Sequence, residues 1–278
     1  MNSKISETVN NVRKFGITNY HDWLEDRDLN TCRKITKEIN CAQADNKGIF
    51  EFSTKYRLIE LFFKFRLKKF KNTNYFNNLA KKLGLKEISS QILESESRLV
   101  RADCYISPKS DKPPLDWHVD QAYSGLENVI KFQHPNEETI KFFFHLTDVA
   151  YDNGLFCYIP KSHLIATALR KGIYEGTLKY TPYWSLNDFR NTILIKENYN
   201  FIKNNSDSEI LDEFIEKTDP TTIKSNPAIS SINKLSIKAG GARIFNDSGS
   251  HKGSKTQINE RLVLRYHYAV KKMSSKLY

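Results

Sequence analysis

Apolar positions change their rhythm once along the chain. Up to about residue 95 they recur at helical spacing. Asn19 to Asn40 reads as a short extended entry followed by a helix. Tyr56, Ile59, Phe63, Leu67 and Phe70 share one helical face, so Tyr56 to Phe70 is expected to be helical. A further helix is expected over Tyr75 to Leu83, with Gly84 as its stop. From about Ser97 the pattern becomes short extended runs: Arg98–Ser107, Trp117–Tyr123, Ile140–Val149, Leu155–Ile159, Leu235–Phe245 and Leu262–Val270. Turn residues separate them, among them Pro113-Pro114, Asp152-Asn153-Gly154 and Asp247-Ser248-Gly249. Such a series predicts a sandwich or barrel. Residues 165–233 interrupt it with helix-like sequence, of which Asp207 to Lys217 is the clearest stretch.

Composition narrows this picture. The 278 residues are 39% apolar and 12% aromatic, enough to fill a core. No run approaches the ~18 apolar residues of a membrane span, and Met1 to Lys14 lacks the apolar core of a signal peptide. Cys32, Cys41, Cys104 and Cys157 form no C-x-x-C pair, which argues against a disulfide framework or a thiolate zinc site and for a reducing, cytoplasmic setting.

Charge is uneven. The formal net charge is +11. Between Lys55 and Lys86 stand ten basic residues and one acid, Glu60. That single basic segment sits on helix-spaced sequence, where its aromatic residues are expected in the core. Nucleic-acid binding would need them exposed for stacking. A solvated helix face is the favoured reading, with steering of an anionic substrate as the other.

The chemistry concentrates at three places. In Trp117-His118-Val119-Asp120, a strand would turn His118 and Asp120 to one face, as adjacent ligands for one metal ion. Gly249-Ser250-His251-Lys252-Gly253 follows a predicted strand and offers a second His. Arg261, ten residues later, opens an apolar strand, where a buried guanidinium needs an anionic partner. Two His and one carboxylate make the facial triad of non-haem iron oxygenases, which leaves coordination positions open. An arginine suits a carboxylate in fork geometry. Of the other five histidines, His145 and His267 are expected as satisfied core residues, His163 as a structural hydrogen-bonding residue, and His21 and His134 as solvated. Cys157 is expected as a small core residue.

In this order the motifs resemble the phytanoyl-CoA dioxygenases within the Fe(II)/2-oxoglutarate oxygenases. Val12–Ile39 resembles the family's N-terminal segment, and Arg98–Tyr123 its first core strands and metal motif. Phe143 to His163, with N-G-x-x-x-x-I-P-x-S-H from Asn153, resembles its strand–turn–strand run, and Gly240 to Tyr268 the segment with the distal His and the Arg. The resemblance implies a mainly β fold with flanking helices, a double-stranded β-helix (a cupin-like jelly roll). It implies one oxygenase domain: residues 1–95 a helical support, 96–164 and 234–272 the jelly-roll core, and 165–233 an insertion near the pocket mouth. It further implies that His118, Asp120 and His251 bind Fe(II) and that Arg261 holds the distal carboxylate of 2-oxoglutarate, with Tyr105 as a second contact. Gln121 and Tyr123 are candidates for the pocket wall. Where relatives often carry Ser two positions after the distal His, this chain has Gly253, then Ser254. Related halogenases replace the carboxylate by a small residue, so Asp120 argues against halogenation.

The implied reaction uses dioxygen and 2-oxoglutarate to hydroxylate an aliphatic C–H of a small-molecule substrate, releasing succinate and carbon dioxide. Desaturation or oxidative cyclisation is the alternative with the same cofactors, and a non-catalytic jelly-roll binding module is the remote one. An anionic substrate is among the options, nucleic acid is disfavoured, and substrate identity and oligomeric state are not legible.

Overall fold

The computed structural model describes residues 3–42, 49–51, 67–120, 138–150, 153–225 and 236–271. Its core is a six-stranded antiparallel sheet. In chain order the strands are β1 (Ile17–Tyr20), β2 (Ile49–Glu51), β3 (Ser97–Ser107), β4 (Thr139–His145), β5 (Phe156–Tyr158), β6 (Ala242–Asn246), β7 (His251–Gly253) and β8 (Arg261–Val270). The large sheet runs β1-β6-β4-β8-β3-β2, and β5 pairs with β7 in a small sheet opposite. Non-consecutive neighbours in both sheets are the signature of the jelly roll.

The register decides which side chains share a face. Lys141 lies opposite Phe245 and His267, Phe143 opposite Arg243 and Arg265, and His145 opposite Val263. On the other side of β8, Asp103, Tyr105 and Ser107 lie opposite Arg265, Val263 and Arg261. Because side chains alternate, all of these point to one face of the sheet. The alternate residues, among them Cys104, Ile140, Phe142, Phe144, Ile244, Leu264 and Tyr266, form the other face and join the main core.

Helices cover that apolar face. They are α1 (Ser3–Phe15), α2 (Asp26–Ala42), α3 (Leu67–Lys82) and α4 (Leu85–Ile92). Val9 and Val12 of α1, Leu29 and Cys32 of α2, Phe76 and Leu79 of α3, and Leu85 and Ile88 of α4 pack there at helical spacing. Gly84 ends α3 in a left-handed conformation (φ 65°), as its position predicts. Helix α3 begins eight residues before the expected Tyr75. Of the expected helix Tyr56–Phe70, residues 56–66 lie outside the described residues.

Among its described residues the interruption folds as five helices: α5 (Ser162–Tyr174), α6 (Leu186–Leu194), α7 (Lys196–Asn205), α8 (Ser208–Lys217) and α9 (Pro220–Ser225). Asp207 caps α8, accepting from the Glu209 N–H. These helices have their own core around Ile165, Leu169, Phe189, Ile202 and Leu211, continuous with Trp117, Val119, Leu155 and Cys157. The insertion thus packs directly on the metal motif.

Several strand boundaries differ from expectation. No regular strand covers Trp117 to Asp120, where His118 instead makes isolated bridges to Ser185 and His251, and residues 121–123 lie outside the described residues. The expected strand Ile140–Val149 ends at His145, with Val149 making only a bridge to Ile237. The expected strand Leu235–Phe245 begins at Ala242, because Gly240 (φ 93°) turns the chain and its carbonyl accepts from Trp23 and Leu24. β2 and β7, three residues each, were not anticipated. Their length is too short for alternation to register, and pairing across the sheet makes them strands. Among the described residues no helix is long and apolar enough to cross a membrane.

Candidate metal centre

His118 and His251 exchange both backbone hydrogen bonds, N to O at 3.0 Å each way. That exchange sets the two imidazoles side by side, 4.4 Å between centroids. The Nδ1 of His118 lies 2.6 Å from the Asp116 carbonyl, and that of His251 lies 2.8 Å from the Gly249 carbonyl. A carbonyl only accepts, so each Nδ1 carries its proton and each Nε2 presents a lone pair. Both Nε2 atoms face Asp120, His118 at 3.4 Å from Oδ1 and His251 at 3.1 Å from Oδ2. The three ligand atoms lie within 4.8 Å of one another. Burial lowers the basicity of His251 against the opposing pull of Asp120, so its neutral, ligating form is favoured. Two lone pairs and a carboxylate facing one point suit a divalent cation, and the histidine–carboxylate donor set suits iron.

Neighbouring residues hold these ligands in place. Trp184, just before α6, stacks on His118 at 5.1 Å, and Phe156 stacks on His251 at 5.4 Å. Ser185 caps α6 in a reciprocal pair with Asp188, fixing the segment that bridges His118. The turn before His251 depends on the I-P-x-S-H motif. Ser162 donates to the Ile159 carbonyl at 2.6 Å and accepts from the Ser250 N–H at 2.9 Å. A side chain at Gly249 would sit 1.9 Å from the Tyr158 hydroxyl, so only glycine fits there. His163 bonds the Arg13 carbonyl at 3.1 Å, tying α5 to α1, the structural role its motif implied.

Two charged residues at the centre were missed by sequence reasoning. Lys141, on the inner face of β4, pairs with Asp120 and lies 3.4 Å from Asp247. Burial opposes the charge on both carboxylates. For Asp120 the ammonium and the two histidines outweigh it and hold its pKa well below the ordinary range. For Asp247 burial wins, helped by Asp120, and its pKa is raised. A lone lysine before Phe142-Phe143-Phe144 was the available signal, because a buried ammonium needs an anion.

Arg261 opens β8 on the same inner face. It donates to the Gly154 carbonyl at 2.7 Å and to the Ser107 hydroxyl at 3.3 Å, and its Nε has no partner among the described residues. Among the described residues no carboxylate pairs with it. By contrast Arg265 is held by Asp103 at 2.6 and 2.8 Å. The Asn-Gly turn serves Arg261 directly, since a side chain at Gly154 (φ 78°) would meet its Cδ at 2.8 Å. Tyr105 lies between Ser107 and Asp103 on the inner face, its ring under the Arg265 guanidinium at 4.6 Å.

The remaining predictions divide. Ser254 faces away from the barrel, its hydroxyl 3.6 Å from the Cys157 sulfur. Cys157 is a buried free thiol, as expected. His145 and His267 are buried but not satisfied: among the described residues, both ring nitrogens of His145 and the Nε2 of His267 lack partners. Their strand alternation turns them into the polar barrel interior rather than the apolar core. His21 is exposed, and His134, Gln121 and Tyr123 lie outside the described residues.

A family model described as Phytanoyl-CoA dioxygenase (PhyH) matches residues 7–257. No curated protein matches the chain. Among solved structures, the epimerase SnoN, crystallised with Fe3+, alpha ketoglutarate and nogalamycin RO, is similar over 96% of this chain and 84% of its own, with 11% identity and a TM-score of 0.58. EctD from S. alaskensis with bound Fe matches over 95% and 76%, with 11% identity and a TM-score of 0.55. HygX from Streptomyces hygroscopicus, with nickel and 2-oxoglutarate bound, matches over 95% and 86%, with 12% identity and a TM-score of 0.52. At these identities the likeness is one of fold.

Proposed function

This chain belongs to the phytanoyl-CoA dioxygenase family, and we propose that His118, Asp120 and His251 bind its Fe(II) while Arg261 anchors the distal carboxylate of 2-oxoglutarate. The reaction is hydroxylation of an aliphatic C–H in a small-molecule substrate. One observation carries the metal assignment: two Nε2 lone pairs and a carboxylate converge within 4.8 Å while both Nδ1 protons are committed to carbonyls. When bound, iron with 2-oxoglutarate and dioxygen supplies an oxidant that takes hydrogen from carbon, with succinate and carbon dioxide as by-products.

The chain's own residues do the rest. The carbonyls of Asp116 and Gly249 orient the two imidazoles. Lys141 bonds Asp120 on the same carboxylate that faces the histidines and limits its rotation. Phe143, Phe156, Phe245 and Val263 form an apolar cluster inside the barrel that excludes water beside His251. Arg261 offers a charged fork without a carboxylate of its own among the described residues, and Tyr105, on the same face of β3, is read as a further contact to the co-substrate outside that fork. The insertion 165–233 frames the pocket mouth, a reading supported by Trp184 stacking on His118. Desaturation or cyclisation would use the same ligands. The similar epimerase also holds iron and alpha ketoglutarate, so product analysis has to separate these outcomes.

The test is anaerobic addition of Fe(II) and 2-oxoglutarate, which should give a weak visible charge-transfer band. His118→Ala should abolish it, and turnover should fall by more than the roughly hundredfold that loss of a supporting partner costs a metal site. A band unchanged in His118→Ala sinks the assignment. A screen for succinate release over candidate small molecules then reads the substrate.

A further inference from the structure

His145 ends β4 on the inner face of the large sheet, opposite Val263 and two residues along β8 from Arg261. It is 0% exposed, and among the described residues neither ring nitrogen has a hydrogen-bond partner. Such a group is rare, because a buried imidazole left unmet forfeits its hydrogen bonds to water with no return. Its surroundings are basic. After burial itself, the charges of Arg243 and Arg261 push its basicity well below the usual histidine range. The ring is therefore neutral, with one N–H to give and one lone pair to fill. Arg261 beside it has an unpartnered Nε. A neutral donor beside a guanidinium that has no carboxylate of its own among the described residues, both buried, fits a carboxylate.

We propose that His145 is the second grip on the distal carboxylate of 2-oxoglutarate, donating its ring N–H to that carboxylate beside the Arg261 fork. The proposal rests on Arg261 as the anchor of that carboxylate. A histidine there also serves selectivity, since a 2-oxo acid ending in a methyl group would leave both the ring and the guanidinium unmet.

The test compares two ligands of the same chain length in the Fe(II)-loaded protein without oxygen. One is 2-oxoglutarate and the other 2-oxovalerate, which ends in methyl where the first has carboxylate. Affinity is read from the charge-transfer band. His145→Leu should weaken 2-oxoglutarate about tenfold or more, the range for a hydrogen bond to a charged group, and leave 2-oxovalerate unchanged. Equal loss for both ligands, or none for either, overturns the proposal. Arg261→Ala separates the two readings. If it removes the preference for 2-oxoglutarate while His145→Leu keeps it, only the histidine role falls. If it leaves the preference intact, the anchor reading falls. Should His145→Leu not melt cooperatively, the ring 15N resonances of His145 in Zn(II)-loaded wild-type protein decide. They should shift with 2-oxoglutarate and not with 2-oxovalerate, and equal response to both overturns the role.

Discussion

The two faces of the large sheet are built from the same strands and obey opposite rules. The outer face is apolar: Phe142, Phe144, Ile244, Leu264 and Tyr266 pack under α1 to α4. The inner face carries Lys141, His145, Arg243, Arg261, Arg265 and His267 with Asp103, all but Arg265 buried. A single residue of register separates the two sets. The outer face returns free energy through apolar burial alone, roughly 25 cal/mol per Å². The inner face is costly, because buried charges must be paired and hydrogen-bonded. A chain that maximised stability would make both faces apolar. This one keeps an inner face whose groups are, among the described residues, only partly satisfied.

The largest effect on stability should come from the outer face. Phe144→Ala removes a fully buried ring and should cost about 3–5 kcal/mol. Denaturant unfolding would show it, with iron affinity of the folded fraction unchanged. An equal loss of metal affinity would break the division between faces. On the inner face, Lys141→Met leaves Asp120 beside Asp247 without its cation. The metal-free protein should lose about 3–5 kcal/mol, and saturating Zn(II) should restore part of it, since a bound cation again balances Asp120. Loss that metal does not reduce would make Lys141 an ordinary structural residue. Outer-face losses, by contrast, should not depend on metal.

Acid should also act through the inner face. Burial lowers the pKa values of His145 and His267, and of His163 near α1, below the ordinary 6.5. Between 6.5 and those lowered values the unfolded chain binds protons that the folded chain refuses, so stability falls as pH falls. His251 is lowered as well, and Asp247, with a raised pKa, works in the opposite direction, one group against four. The metal-free protein should therefore melt at lower temperature at pH 5 than at pH 7. A flat or rising profile would contradict the neutral interior. The smallest effect belongs to the surface. Lys71 and Lys81 are exposed on α3, and reversing them to Glu should leave turnover unchanged and stability within about 0.5 kcal/mol. A fall in turnover would give the basic segment a part in substrate capture. Lys82 already pairs with Glu25 and Asp28, and Lys86 with Glu96, so this segment spends some of its charge on the chain itself.

The long strands were legible because alternation over ten residues is hard to mistake, as in β3 and β8. The candidate ligands were legible from ordered motifs, whereas the close approach of Gly154 to Arg261 was not, because only the fold brings the two together. The route to the centre was not. His118 and Asp120 were expected to share a strand face. The structure instead joins His118 to His251 by a reciprocal bridge between segments 133 residues apart, read from His118 and His251 themselves. His145 and His267 were expected to be satisfied, since apolar neighbours in sequence suggest a core. In a strand those neighbours lie on the opposite face.

By itself the sequence determined the local matters: where helices give way to strands, which glycines turn the chain, and which residue types stand at ligand spacing. Spacing and propensity act over a few residues, so a chain read in order contains them. Only the tertiary structure decided which of the many charged residues meet. Lys141 joins Asp120 and Asp247, and His145 comes beside Arg261, through a register between strands distant in sequence. That register minimises the burial cost of the whole sheet, a quantity that no single segment carries.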